Sequence, residues 1–328
     1  LRLTGEAASE PSDASGTLLY DVLGDAWDDE LIDALGLDRR LVPPLVPSQA
    51  VAGFLTPHAA STLHLDVATP VAAGAGDTPA GIYGSHLPVG VAQLTIGSGV
   101  QIVVTARTAT PSTDQGLHLY RSAEPDLLYR MAAMQNAGLA LEWVRSLLGF
   151  TWDEMYDAFE QTPEGADGLT FLPYLTGERT PLLTSAALGS WSYASLAHGR
   201  EHFARAAFEG VAFSVRAGLM ALRSVGTTSE HVRLAGGGSL RPSWRGLLAD
   251  ALGAYLEPIA STDASVLGAA RLAASALGAP WPANEHPTDF IIEPNPSPAL
   301  RHAIARFDEL TTRTAHAVHA SGGTSASS

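Results

Sequence analysis

Gly74-Ala75-Gly76-Asp77-Thr78-Pro79-Ala80-Gly81 is the stretch on which the reading of this chain turns. The apolar residues 70–73 lead into two glycines, and Pro79 after the aspartate suits the first turn of a helix. The small residues let a ligand approach the backbone closely. The spacing places Asp77 as an N-cap, at the positive end of a helix dipole. A carboxylate at the mouth of a glycine-lined turn can serve as general base toward a hydroxyl. A capped helix without chemistry is the alternative that the motif alone leaves open.

Two further glycine turns follow. Val91-Ala92-Gln93-Leu94-Thr95-Ile96 runs into Gly97-Ser98-Gly99 and then Val100-Gln101-Ile102-Val103-Val104-Thr105, which reads as a β-hairpin. Successive N–H groups in such a turn, with a hydroxyl, make an anion-binding concavity. His231-Val232-Arg233-Leu234-Ala235 precedes Gly236-Gly237-Gly238-Ser239, and a helix begins near Arg241-Pro242-Ser243-Trp244. Strand, triple glycine and helix place free N–H groups where a nucleotide phosphate could lie. Each turn alone is also compatible with an ordinary connection that binds nothing.

All 19 basic residues are arginine, because the chain contains no lysine. This excludes a G-x-x-x-x-G-K-[ST] loop, a Schiff-base lysine and a kinase lysine of the V-A-I-K type. Phosphate chemistry here must use backbone N–H groups, hydroxyls, arginine and a metal. That suits a reaction in which positioning and electrostatics supply most of the catalysis.

The elements occur in an ordered series. It begins with Leu3-Thr4-Gly5 and Asp13-Ala14-Ser15-Gly16-Thr17, then Gly74-Ala75-Gly76-Asp77 and Thr95-Ile96-Gly97-Ser98-Gly99. Asn136-Ala137-Gly138 with Glu142-Trp143 and Phe171-Leu172-Pro173-Tyr174-Leu175-Thr176-Gly177-Glu178-Arg179-Thr180-Pro181 follow. Gly236-Gly237-Gly238, Trp244-Arg245, Ala249-Asp250 and Leu267-Gly268-Ala269-Ala270 close it. Over residues 1–278 the series resembles the FGGY family of carbohydrate kinases, on its xylulokinase branch. The resemblance implies an α/β, actin/hexokinase-like (ribonuclease H-like) two-lobed ATPase fold. It implies ATP-dependent phosphorylation of a sugar hydroxyl, D-xylulose to D-xylulose 5-phosphate, with a kinase for another keto-sugar or polyol as the near alternative. A non-catalytic sugar or nucleotide sensor on the same fold is a further alternative, against which the intact Asp77 speaks.

The same resemblance implies the roles of residues. Asp77 is the catalytic base and reaches Mg²⁺ through water; Asp77 and Thr78 bind the sugar. Gly97, Ser98 and Gly99 hold ATP phosphates, and Gly236, Gly237, Gly238 and Ser239 touch the nucleotide. The expected lobes are residues 1–85, the remainder of the N-terminal lobe, and 86–320, the nucleotide-binding lobe, with 321–328 a disordered tail. The hinge is expected near residues 84–90. Cytoplasm is the family expectation for compartment, and a homodimer is compatible with it.

There are departures from the family pattern. The chain opens on Leu1, and this opening matches the middle of family members; a front part of roughly 150 residues, about one domain, is expected to precede it. Residues 1–328 alone are therefore expected to have little or no kinase activity. Leu188 stands where relatives carry the arginine of an A-R-G, and Thr78 where xylulokinases carry asparagine.

Composition bounds the rest. A length of 328 residues predicts about two domains, and 46% hydrophobic content suffices for a large core. A net charge of −15 with scattered arginines argues against nucleic-acid binding. No apolar run is long enough to span a membrane. With no cysteine, disulfides and thiolate catalysis are excluded. Helical periodicity predicts helices at 27–35, 127–148, 202–222, 267–277 and 298–318, with strands at 169–171 and 232–235. Asp28-Asp29-Glu30 reads as the charged first turn of a helix rather than a cation site. His316 and His319 lack a third metal ligand. Trp143 reads as core with Leu139 and Leu147, and Trp244 as a residue that could stack on adenine.

Overall fold

The computed structural model describes residues 1–110, 116–226, 229–236, 241–259, 264–281 and 290–322, with side chains to 318. Its first part carries α1 (Pro11–Ala14), β1 (Tyr20–Asp21), β2 (Ala26–Trp27), α2 (Asp29–Ala34), β3 (Val51–Phe54), α3 (Pro57–Leu63), β4 (Pro70–Ala72) and α4 (Asp77–Gly84). After a connector come β5 (Ala92–Ile96), β6 (Val100–Ala106), β7 (His118–Arg121), β8 (Leu128–Met134), α5 (Gly138–Leu148), α6 (Trp152–Gln161), β9 (Thr170–Leu172) and β10 (Ser190–Ser192). The chain ends with α7 (Arg200–Ser224), β11 (His231–Ala235), α8 (Pro242–Leu252), β12 (Tyr255–Pro258), α9 (Ala264–Ala276) and α10 (Pro298–Gly322).

One six-stranded sheet organises the second part, in the order β12-β11-β5-β6-β8-β7. β12, β11 and β5 are parallel; β5, β6, β8 and β7 form an antiparallel run. Side chains alternate between the faces of a strand. Leu94, Ile96, Ile102, Val104, Ala132, Met134, Val232 and Leu234 share one face and are buried in the main core. The long helix α7 covers that face with Phe208, Val211, Val215 and Leu219. α6 and α8 add a ring cluster, Phe159 on Phe208 at 4.6 Å and Phe208 on Trp244 at 5.4 Å. A charged pair lies inside this layer: Arg205 Nε donates to Glu209 at 2.6 Å, and Glu209 also accepts the Gly165 N–H at 2.8 Å. Burial pushes the Glu209 carboxyl up, against the pull of Arg205.

The opposite face looks toward α4. It carries Gln93, Thr95, Gln101, Val103, Tyr129, Met131 and Ala133 in register, with His118 and Tyr120 from β7. Ile82 of α4 packs there with Val103, Tyr129 and Met131.

Three expectations change. Residues 128–134 are the buried strand β8, and only 138–148 are helical. An all-apolar central strand carries no period that separates it from a buried helix, so the run merged with α5. Trp27 ends β2 instead of opening a helix; α2 starts at Asp29, capped by Asp28, whose side chain accepts the Leu31 N–H. Asp29 and Glu30 do occupy its first turn. The last helix continues to Gly322, two residues into the segment expected as a tail, and 323–328 lie outside the described residues. Among the described residues no helix is long and apolar enough to cross a membrane.

The first part has a small apolar cluster, Leu55, Ala59 and Ala60. It leans on the edge strand β7: Arg121 donates from Nε to Val22 O at 2.7 Å and from Nη2 to Leu23 O at 3.0 Å, and its N–H donates to Ser15 Oγ at 3.1 Å.

Candidate active site

Residues 97–99 form the β5–β6 hairpin, closed by the Gly97 N–H on Gly99 O at 2.9 Å. The start of α5 is tied under it, with the N–H groups of Gly138 and Leu139 on Gly97 O and Ser98 O at 3.1 and 2.9 Å. Gly97 and Ser98 are exposed. Gly236 lies beside this hairpin because β11 pairs with β5, Ala235 opposite Thr95. Its φ is +94°, and a Cβ there would collide with Ile96 O, so only glycine fits. Gly236 and the hairpin thus lie at the same end of neighbouring parallel strands. Gly237, Gly238 and Ser239 lie outside the described residues.

Asp77 opens α4, but as its first helical residue; Gly76 is the N-cap. The carboxylate therefore does not cap the helix, and its Oδ1 accepts the N–H of Thr78 at 2.6 Å. Asp77 is exposed. α4 is built from small residues because it crosses α9 at backbone contact: a Cβ on Gly84 or Gly268 would run into Ala264 O or Ala80 O. Ser265 Oγ donates to Asp77 O at 2.8 Å. At the other end, Arg271 Nη1 donates to Tyr83 O at 2.9 Å, and Arg233 Nη1 to Ser85 O and His86 O at 3.1 Å each. Cations at these last carbonyls also complement the helix dipole.

One hydrogen bond joins the aspartate motif to the hairpin strand. Thr78 Oγ1 donates to Gln101 Oε1 at 3.2 Å. Gln101 in turn lines a cavity of 530 Å³ with Thr95, Gly97, Ser98, Gly99 and Arg179. On the other side of the motif, Ala73, Ala75 and Gly76 line a second cavity of 310 Å³ with Ser9, Glu10 and Asp13. The two neighbours of Asp77 therefore reach both cavities, Gly76 directly and Thr78 through Gln101.

The loop after β9 closes the first cavity. Glu178 is buried, and its carboxylate accepts N–H groups from Gln135 at 2.7 Å and Arg179 at 2.8 Å, and the Asn136 amide at 3.2 Å. Burial pushes the Glu178 carboxyl up, and those donors oppose the shift. Glu178 thus holds the loop through backbone groups rather than through the Arg179 guanidinium.

Other expectations resolve at this level. Trp244 is 1% exposed in the core, so it offers no face to a base. Trp143, expected in the core, is 44% exposed, as are Leu139 and Leu147 in similar measure; the buried stripe of α5 is Ala140, Leu141 and Val144. Leu188 is exposed and is not part of the cavity wall. His316 joins no group of three metal-binding side chains among the described residues, and the side chain of His319 lies outside them. Gln101 and Glu10 were not visible as site residues. A glutamine in a strand and a glutamate before a short helix carry no local signal. Glu10 is buried, accepting from Ser12 and Asp13 N–H at 2.9 and 2.6 Å and from Ser48 Oγ at 2.6 Å. Ser48 O accepts the Gly74 N–H at 3.1 Å, so Glu10 supports the strand that leads to Asp77.

Comparison with known proteins places these features in a family. Residues 92–277 match the C-terminal domain of the FGGY family of carbohydrate kinases, and residues 1–84 match its N-terminal domain. The chain is 35% identical over 277 residues to a xylulose kinase of Escherichia coli (strain K12), covering 83% of this chain and 57% of that protein. It is 31% identical over 283 residues to a xylulose kinase of Bacillus subtilis (strain 168), covering 85% and 56%. The chain thus spans somewhat more than half the length of these curated relatives. Among solved structures, a xyloylose kinase from Brucella ovis superposes with a TM-score of 0.87 at 31% identity, over 97% of this chain and 66% of that one. A xylulose kinase from Rhodospirillum rubrum gives 0.84 at 27%, over 97% and 66%. The fold is the actin/hexokinase-like one. With its larger domain alone matched across residues 92–277, the chain belongs to the FGGY family of carbohydrate kinases.

Proposed function

We propose that the protein transfers the terminal phosphoryl group of ATP to a hydroxyl of D-xylulose, giving ADP and D-xylulose 5-phosphate. The observation that supports this reading is the bond from Thr78, the neighbour of Asp77, to Gln101, which lines the glycine-walled cavity. The resemblance to two xylulose kinases at 35% and 31% identity supports the choice of sugar. The N–H groups and hydroxyl of residues 97–99, with Gly236 beside them, hold the nucleotide phosphates. The sugar occupies the side lined by Glu10, Asp13 and Gly76.

Oδ1 of Asp77 is engaged by Thr78, and Oδ2 accepts no hydrogen bond among the described residues. Oδ2 takes the hydroxyl proton as the sugar oxygen bonds to the γ-phosphorus and the bridging P–O bond breaks toward ADP. Among the described residues no group of three His, Asp or Glu side chains could hold a metal alone. The Asp77 carboxylate, an oxygen donor suited to a hard cation, would hold Mg²⁺ through water together with the bound nucleotide. When bound, the ion would offset the phosphates' charge in a chain of net charge −15.

A coupled ADP-release assay on the full-length protein with a panel of keto-sugars and polyols tests the proposal. ADP release that depends on D-xylulose is expected, and Asp77→Asn should lower kcat by about 10²–10⁴-fold with ATP binding retained. Turnover undiminished in Asp77→Asn would remove the base. A different preferred sugar would replace the substrate, and ATP hydrolysis independent of any sugar would replace the reaction.

A further inference from the structure

Among the described residues, Arg179 is the one charged residue in the wall of the hairpin cavity. Elsewhere in this lysine-free chain several arginines meet carboxylates, as Arg121, Arg145, Arg205, Arg216 and Arg241 do, and others bond backbone carbonyls, as Arg130, Arg223 and Arg306 do. The Arg179 side chain is exposed, and among the described residues no carboxylate lies within ion-pair distance of it. Among the described residues, Arg179 thus presents a cation with no carboxylate partner to the cavity that residues 97–99 also line.

Its backbone is held firmly on both sides. The Arg179 N–H donates to the buried Glu178 carboxylate at 2.8 Å. Thr180 donates its N–H to Ala133 O at 3.0 Å, accepts the Ala133 N–H on its hydroxyl at 3.0 Å, and donates that hydroxyl to Gly116 O at 3.0 Å. Ala133 lies opposite Gln101 in the β6–β8 register, and Gln101 accepts from Thr78 next to Asp77. Arg179 and Asp77 are therefore anchored to neighbouring positions of the same sheet face, one through β8 and one through β6.

Their charges overlap on that face. Burial, then the charge of Arg179, holds the His118 imidazole below its ordinary range. Burial raises the Tyr120 hydroxyl, and Arg179 opposes it. Burial raises the Tyr129 hydroxyl and Asp77 adds to the rise. Tyr120 and Tyr129 are cross-strand partners with ring centroids 5.4 Å apart.

We infer that Arg179 is a catalytic arginine, its guanidinium contacting the phosphoryl group as that group passes from the nucleotide at residues 97–99 to the hydroxyl beside Asp77. The inference rests on the phosphoryl-transfer reading above. Negative charge spreads over the three outer oxygens of the group in transit, and a guanidinium presents paired donors to such oxygens. Arg179 forms and breaks no bond; the proton goes to Asp77 and the electron pair of the broken P–O bond leaves with ADP.

Steady-state kinetics of the full-length protein with MgATP and D-xylulose provide the test, for the parent, Arg179→Ala and Arg179→Lys. Arg179→Ala should lower kcat by about 10²–10³-fold. The KM for sugar should change less than about threefold. Its melting temperature should match the parent's, because the side chain is exposed. Low millimolar guanidinium should restore at least part of the lost kcat in Arg179→Ala and leave the parent unaffected, and Arg179→Lys should fall between the two. A parent that turns over while Arg179→Ala keeps its kcat overturns the inference alone. A kcat loss that guanidinium leaves untouched, or one accompanied by an equal loss of melting temperature, overturns it too. A parent with no sugar-dependent turnover overturns the kinase reading and this inference with it.

Discussion

The two faces of the central sheet are made from the same strands and do opposite work. Toward α7 they present Leu94, Ile96, Ile102 and Val104, buried among apolar side chains. Toward α4 they present Gln93, Thr95, Gln101 and the His118–Tyr120 pair beside Tyr129. Buried side-chain atoms without a hydrogen-bond partner among the described residues include Gln93 Oε1 and His118 Nε2, both on this second face. Native interiors rarely leave such atoms unsatisfied unless a function retains them. The apolar face supplies stability, and under the proposed function the polar face forgoes part of it to keep donors, acceptors and charge available for ligands.

Paired truncations break this comparison most directly. Leu94 is fully buried, and Leu94→Ala should cost about 2–5 kcal/mol of stability. Turnover per folded molecule should stay unchanged. Gln101, one strand over on the other face, is exposed, so Gln101→Ala should cost under about 1 kcal/mol while lowering turnover. Chemical unfolding and kinetics on the same samples measure both, and stability loss at Gln101 with intact turnover would erase the distinction.

A smaller effect sharpens it. Gly268→Ala drives a methyl into Ala80 O at the α4–α9 crossing and should cost about 1–3 kcal/mol. Because that crossing also holds Asp77 through Ser265, kcat should fall alongside stability, unlike in Leu94→Ala. Denaturant titration with parallel assays separates the cases.

The smallest expected effect is on pH dependence. The folded-state value of His118 is lowered, by burial and then by Arg179, so the folded protein binds fewer protons there than the unfolded chain. Its contribution is present above the ordinary histidine value and is lost as pH falls through that value toward the folded one. Removing the imidazole in His118→Gln should flatten the acid limb of stability against pH. In Arg179→Ala, an NMR titration should find His118 moved upward.

The turns of the candidate site were legible because they are local. Gly-Ser-Gly between β-rich runs must turn, and the strand–glycine pattern at residues 231–236 marked the second turn. Asp77 stood out through its glycines and Pro79. Strand β8 did not, since a strand buried on both faces has no alternation to read. Trp143 and Trp244 exchanged places for a related reason. Periodicity finds the apolar stripe of a helix but cannot say which of two adjoining stripes meets a neighbour. In α5 the small residues Ala140 and Val144 face the core, and Trp143 remains outside.

By itself the sequence determined the turn chemistry, the absence of lysine and the order of motifs, because each follows from residue type and short-range backbone geometry. Only the tertiary structure decided that Gly76, not Asp77, caps α4, and that Thr78, beside Asp77, bonds to Gln101 of the hairpin strand. It alone left the Arg179 side chain at the cavity wall with no carboxylate in ion-pair distance among the described residues. These depend on strand register and on helices crossing at backbone contact, which join residues 23 and more positions apart and leave no local trace.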